Sequence, residues 1–263
     1  MPIEREGGPA SSTRARTNGR APRRQKTSVL LAQQIVQEIS DRRLPPGTML
    51  PSEKQMLENY GVARGTLREA LRYLEVQGVI TIRPGPGGGP SVNDVEPRAL
   101  ASVLAMMLHL SDAPFSTILE ARRLIEPASA AAAAQRVDDA LLGELRSSIE
   151  VMDAVIDDPQ AFLAENAHFH VLMARASGNK LFEMLTGALS WIIDATALGA
   201  EYDLRRRKVV VKAHRAIYDA LEQRDPDAAR DAMADHMANF STYMERNFRH
   251  VLKQPIRWDA RVL

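Results

Sequence analysis

Residues 50–92 read LPSEKQMLENYGVARGTLREALRYLEVQGVITIRPGPGGGPSV, and the punctuation of this stretch decides the fold. Ser52 precedes Gln55 by three residues, the spacing at which an N-cap hydroxyl and a side-chain amide satisfy each other's free backbone N–H groups. A short helix therefore opens at Ser52 and runs to Tyr60, where Gly61 closes it. After Val62 and Ala63, the residues Leu67, Ala70, Leu71 and Leu74 recur on one helical stripe that stops at Gly78. Val79–Arg83 reads as a strand, Pro84 to Pro90 as a glycine-rich tip, and Ser91-Val92 as the returning strand. Upstream, Leu31, Ile35, Val36 and Ile39 place an amphipathic helix at about 28–41, ended by Pro45-Pro46-Gly47.

A short helix, a tight turn and a second helix beginning near Arg64 place Arg64 and Arg68 one turn apart, on the face opposite the leucine stripe, with Thr66 expected beside them. That chemistry suits DNA. A guanidinium is a planar fork that fits guanine O6/N7 or phosphate oxygens, and a threonine hydroxyl bonds a phosphate or a base edge. Lys54, near the start of the preceding helix, is expected beside the backbone. On spacing alone, a solvated helix face is an equal reading of the two arginines.

Spacing is not alone. LPSE at 50–53, the Val62-x-Arg64-x-Thr66-x-Arg68-Glu69-Ala70-Leu71 core, Leu74-Glu75 and Gly78 together resemble the winged helix-turn-helix of the GntR family of bacterial regulators, without a gap. The resemblance implies DNA contacts from Lys54, Arg64, Thr66 and Arg68, with Gly85 at a wing tip that enters the minor groove. Two departures stand out. Gly65 occupies the position where the family usually has threonine or serine, which removes a phosphate contact, and the wing is richer in Gly and Pro than in basic residues.

The chain has 263 residues, 45% hydrophobic and 25% charged, which allows two cores, and it has no cysteine. A disulfide framework and thiolate metal sites are thereby excluded, and a cytoplasmic protein is expected. No apolar run approaches the ~20 residues of a membrane span. The net charge of +1 hides an asymmetry: residues 1 to about 90 are visibly basic, while acids such as Asp153, Asp157, Asp158 and Glu165 lie beyond. An anion-binding N-terminal half follows from that distribution. Residues 1–26, with Arg14, Arg16, Arg20, Arg23, Arg24 and Lys26 among Gly, Ser and Pro, read as a disordered basic tail. The reading domain spans 27–92, a linker 93–98, a helical domain 99–253 of about seven helices, and a C-terminal tail 254–263. The fold class is mainly α: an N-terminal winged helix-turn-helix joined to an all-α helical-bundle effector domain.

In the helical half, His170, His214 and His236 fall within expected helices, and Asn166 lies one turn before His170. A lone helical histidine is usually a hydrogen-bonded core or surface residue. Imidazoles from separate helices of a bundle can instead converge on a divalent cation, zinc or nickel by ligand type, with an oxygen at i−4 as a fourth ligand. Arg122-x3-Glu126-Pro127, Asn166-x3-His170 and Ala176-Ser177-Gly178-Asn179 resemble the FCD effector domain of the FadR subfamily over about 98–250. That resemblance implies a metal held by Asn166, His170, His214 and His236 at the floor of a cavity, with asparagine replacing the commoner aspartate. Glu165 and His168 are turned away from Asn166 by about 100° and about 200° and are not expected ligands.

An open position on such a metal would take a carboxylate from a small organic acid, with Arg122 supplying a charge-assisted fork to it. An intrahelical pair with Glu126, four residues on, is an equal reading of Arg122, and Arg206 and Arg207 are weaker candidates. The sequence thus points to a homodimeric regulator, a repressor relieved by ligand, on a palindromic operator. One alternative makes the helical half a dimerisation scaffold with a structural metal or none. Another makes it a metal-dependent hydrolase, against which stands the lack of an HExxH-like motif or a second cluster to supply a general base.

Overall fold

The structure is a computed structural model; it describes residues 21–85, 87–94, 96–196 and 202–258, with side chains from 27 onward and excluding 194–196. It divides into two compact units, 1–95 and 96–263. The expected tail at 1–20 lies outside the described residues. Residues 21–26 belong instead to the first helix, where Pro22 is tolerated in a first turn and Arg23, Arg24, Gln25 and Lys26 are straight-chain helix formers.

In the first unit α1 spans Ala21–Asp41, α2 Glu53–Tyr60 and α3 Arg64–Val76, followed by β1 Ile80–Arg83 and β2 Gly89–Val92. The capping box forms as spaced: the Gln55 backbone N–H donates to Ser52 Oγ at 3.4 Å, and the Ser52 N–H donates to Gln55 Oε1 at 3.1 Å. Gly61 ends α2 in the left-handed region at φ 61°, which a side chain would make costly. The antiparallel strands pair Ile80 with Val92 and Arg83 with Gly89. Residues 47–50 add a third edge, since the Leu50 N–H donates to the Pro90 carbonyl at 2.8 Å and the Val92 N–H to that of Thr48 at 2.9 Å. Leu31 and Ile35 of α1, Met56 of α2, Leu67, Leu71 and Leu74 of α3 and Ile80 of β1 fill one core. Tyr60 ties α2 to α1 by donating to Glu38 Oε2 at 2.8 Å.

The second unit begins with α4, Pro97–Leu110, so Pro97 and Arg98 are helix rather than linker; proline's fixed φ and missing N–H suit a first turn. It continues with α5 Ser116–Arg136, α6 Asp139–Ala154, α7 Pro159–Ala176, α8 Lys180–Thr196, α9 Leu204–Glu222, α10 Pro226–Asn247 and the single turn α11 Arg249–Leu252. Helix α5 is central and packs against α7, α8, α9 and α10. Its Ala130, Ala133 and Ala134 are fully buried, and the small side chains permit that close approach. Pro127 inside α5 leaves the carbonyl of Arg123 without its usual helical donor. The acids Asp138, Asp158, Asp203 and Asp225 cap α6, α7, α9 and α10 through side-chain oxygens.

The expected C-terminal tail is in part structural. Ile256 is fully buried against α4 and α8, its N–H donates to the Ala113 carbonyl at 3.0 Å, and Gln254 accepts from the Phe115 N–H at 2.9 Å. Those bonds satisfy the chain between α4 and α5, which has no helical partner of its own.

Truncating the buried core of the reading unit should be expensive and truncating its surface cheap. Leu67→Ala, at a fully buried position, is expected to cost about 2–5 kcal/mol, whereas Val76→Ala, at 75% exposure, should cost under about 0.5 kcal/mol, as read by urea denaturation of the full chain.

Candidate functional site

Two sites emerge, one in each unit. On α3, Arg64 and Arg68 are exposed, with side chains 69% and 65% accessible. Both face Glu53 at the start of α2: Arg68 Nε donates to Glu53 Oε1 at 3.1 Å, its Nη2 lies 3.4 Å from Oε2, and Arg64 Nε lies 3.6 Å from Oε1. One carboxylate thus holds two guanidinium forks side by side on the surface. Lys54 is exposed beside it. Thr66 departs from expectation: it is buried, only 7% exposed. Helix geometry gives the reason, because Thr66 lies about 200° from Arg64 and about 160° from Arg68, at the edge of the arc filled by Leu67, Ala70, Leu71 and Leu74. Gly85 sits at the exposed hairpin tip with φ 98°, and a Cβ on the nearby Gly88 would come within 2.2 Å of the Arg83 carbonyl oxygen. The wing is tight because glycine allows it.

In the second unit, α7, α9 and α10 bring His170, His214 and His236 together, each with a ring nitrogen within 4.8 Å of the others. His170 Nε2 and His236 Nε2 are 3.4 Å apart, and the His214 ring stacks on Phe169 with centroids 3.9 Å apart. Asn166, one turn before His170, lines the same cavity as His170 and His236. Burial, and then the neighbouring imidazoles, hold the His214 and His236 pKa values well below the usual histidine value, so both rings are neutral near pH 7 and present lone pairs. Both His214 nitrogens are buried without a hydrogen-bond partner. Such an orphaned imidazole is costly, and a cation among the three rings would supply what it lacks.

Sequence reasoning missed Glu126 as part of this centre. Its carboxylate is fully buried on α5, with Oε2 2.5 Å from His170 Nδ1 and Oε1 paired with Arg122 Nε. Burial alone would raise its pKa, but the Arg122 guanidinium and His170 outweigh it and hold the carboxyl well below the ordinary range. By taking the Nδ1 side of His170, Glu126 turns Nε2 toward the other histidines, the carboxylate–histidine arrangement that orients metal ligands. The signal was present in the quoted Arg122-x3-Glu126 spacing. The same contact locates Arg122: it lines the cavity, yet its guanidinium is already paired with Glu126.

Comparison with known proteins accords with both units. Residues 27–88 match the family model described as bacterial regulatory proteins, gntR family, and residues 117–239 match the FCD domain. An uncharacterised HTH-type transcriptional regulator of Bacillus subtilis, YcbG, is 30% identical over 211 residues, covering 79% of this chain and 87% of that protein. The HTH-type transcriptional repressor NanR of Citrobacter rodentium is 28% identical over 90% of this chain and 92% of its own. A GntR structure from Streptococcus agalactiae superposes with a TM-score of 0.68 at 26% identity, covering 82% of this chain and 99% of that one. These relatives are named for transcription rather than catalysis, which sets the hydrolase alternative aside.

Removing the central carboxylate should be felt as a buried-charge defect. Glu126→Ala strands Arg122 and His170 Nδ1 and is expected to cost about 3–5 kcal/mol in urea denaturation, against under about 1 kcal/mol for Glu144→Ala, which breaks an exposed pair with Arg175. Because the folded-state pKa of Glu126 is depressed, its contribution is fully present above the ordinary carboxylate range. Acid titration should therefore destabilise the native chain more steeply than Glu126→Ala.

Proposed function

We propose that this chain, a transcription regulator that belongs to the GntR family of bacterial regulatory proteins, binds a palindromic operator as a homodimer and is released by a small carboxylate held at a metal-containing cavity. An FCD domain following the reader supports placing it in the FadR subfamily. The observation that carries the sensing half is the buried trio His170, His214 and His236, with His214 lacking any other partner.

On DNA, Arg64 and Arg68 exchange the shared Glu53 carboxylate for guanine edges or phosphate oxygens, Lys54 neutralises the backbone, and the Gly85 tip enters the minor groove. Thr66 takes no direct part in this reading. The homodimer is supported by an exposed apolar stripe on α4, where Val103, Met107 and Leu110 follow helical spacing at 42%, 60% and 77% exposure, and by Leu124 on α5 at 78%.

In the FCD unit, Asn166, His170, His214 and His236 would hold the metal, zinc or nickel by their nitrogen and oxygen donors. When bound, the metal offers an open coordination position to a carboxylate. Glu126, beside Nδ1 of His170, leaves Nε2 pointing inward, and the Arg122–Glu126 pair forms a charged but internally balanced wall. The effector lowers operator affinity only insofar as it favours the arrangement of the two reading heads that does not fit the half-sites. The protein works as a repressor, as the name of the Citrobacter relative suggests, and a DNA-binding role without a membrane-spanning helix among the described residues accords with the cytoplasm.

Two experiments test the two halves. On an operator obtained by in vitro selection, Arg68→Ala should weaken binding about tenfold to a hundredfold in fluorescence anisotropy without changing the melting temperature; unchanged affinity would remove Arg68 from the contacts. In protein purified without chelator or histidine tag, elemental analysis should find about one divalent metal per chain. His214→Ala combined with His236→Ala should abolish it, and retained stoichiometric metal would refute the cage.

A further inference from the structure

Among the described residues three arginines are buried: Arg122, Arg206 and Arg207. A buried guanidinium needs acceptors for its fixed fork of donors. Arg122 has the Glu126 carboxylate, and Arg207 donates through Nη1 to the Ile156 carbonyl at 2.5 Å. Arg206 is different. It is 8% exposed, its Nε lacks a partner as that of Arg207 does, and among the described residues its guanidinium, unlike that of Arg207, forms no hydrogen bond to a carbonyl and no salt bridge to a carboxylate. The nearest acid in sequence, Asp203, accepts from the backbone N–H of Arg206 at 2.6 Å as the cap of α9.

Two aromatic rings accompany this guanidinium. Its central carbon lies 4.7 Å from the Tyr243 ring centre and 5.9 Å from that of Tyr202. Rings against a guanidinium steady the group and leave its edge N–H donors for an acceptor in the plane. Arg206 lines the same cavity as Asn166, His170 and His236, as does Ser190 of α8, whose buried Oγ also lacks a partner. Among the described residues no acidic side chain lines that cavity, and Glu126 reaches it only through its pair with the lining Arg122.

We infer that Arg206, assisted by the Ser190 hydroxyl, is the anchor for a second anionic group of the effector, and that the effector is therefore a small dicarboxylic acid. This rests on the proposed metal-containing cavity for one end of the ligand: one carboxylate is taken by the open metal position, the other by the Arg206 fork. The charges require it. Imidazole and amide ligands donate lone pairs and bring no negative charge, so a divalent metal held by them would keep both of its charges, and Arg206 adds another on the same cavity. A monocarboxylate meets one end and leaves the other buried and unpaired; a dicarboxylate meets both. Arg122, balanced by Glu126, frames the cavity without being the ligand's fork.

The test is isothermal titration of the metal-loaded full chain with malonate, succinate and glutarate, each against its matched monocarboxylate: acetate, propionate and butyrate. At least one dicarboxylate should bind tenfold or more tightly than its monocarboxylate. Arg206→Met should erase that preference while metal content by elemental analysis stays unchanged, and Ser190→Ala should reduce it several-fold. Should Arg206→Met fail to fold by thermal melting, Arg206→Lys serves in its place: it keeps the charge but loses the fork, and should lower the preference without abolishing it. An undiminished preference in the Arg206 variant, no preference in the native chain, or no dicarboxylate binding up to about 10 mM overturns the inference. A native chain that carries no metal yet binds dicarboxylates through Arg206 would overturn the metal reading and keep the anchor. Metal and operator binding that survive beside an undiminished preference in the Arg206 variant would do the reverse.

Discussion

The helical unit is organised around one buried carboxylate. Glu126 is fully inaccessible, and a charge so placed is tolerable only if opposite charge and hydrogen-bond donors surround it. Arg122, one turn earlier on the same helix, and His170, on α7, meet those needs from two directions. Because α5 packs against α7, α8, α9 and α10, this single ionic contact is formed where the helices that carry the histidines converge. With Nδ1 beside Glu126, the His170 ring is oriented so that Nε2 faces His236, 3.4 Å away. Packing of small side chains such as Ala130, Ala133 and Ala134 then sets how closely the helices approach.

A related economy operates at the DNA-reading face, in solvent instead of the core. Glu53 lies within ion-pair reach of both Arg64 and Arg68 and draws the two forks to one place on the surface before any DNA is present. Exposed ion pairs of this kind contribute little to stability, so the contact is easily exchanged for phosphate or base acceptors. What it supplies is orientation: two long side chains that would otherwise sample many rotamers are held near one another, which lessens the entropy lost on binding. The buried carboxylate of Glu126 and the exposed one of Glu53 thus do opposite things with the same chemistry. One cannot be broken without a large penalty, and the other is poised to be broken.

Local signals carried much of this into the sequence. The Ser52–Gln55 capping box, the glycines at 61 and 78 and the leucine stripe of α3 are short-range devices whose physics is complete within a few residues, and they fold as read. The three histidines were legible as a cluster because helical spacing and family resemblance limited where they could meet. Thr66 was misjudged because its place on the wheel, at the rim of the buried arc, was weighed less than its hydroxyl. Residues 254–256 read as a tail because what holds them, the backbone of Ala113 and Phe115, is more than a hundred residues away in sequence. Glu126 stood in the quoted spacing with Arg122, but its second partner, His170, comes from another helix, and no periodicity reports such a contact.

The asparagine at 166 bears on how the cavity selects its ligand. With an aspartate there, a bound divalent metal would have one of its charges cancelled inside the coordination shell, and an incoming acid would meet a centre closer to neutral. In the proposed centre Asn166 would offer an oxygen without a charge, so compensation would pass to whatever occupies the cavity. Glu126 does not alter that balance, because its charge is matched by Arg122 on the same helix. The weaker metal binding expected of an amide ligand and the stronger demand for an anionic effector are therefore two sides of one substitution. In the proposed centre, metal retention and effector binding reinforce each other, since the acid contributes the negative charge that the protein's own ligand set omits.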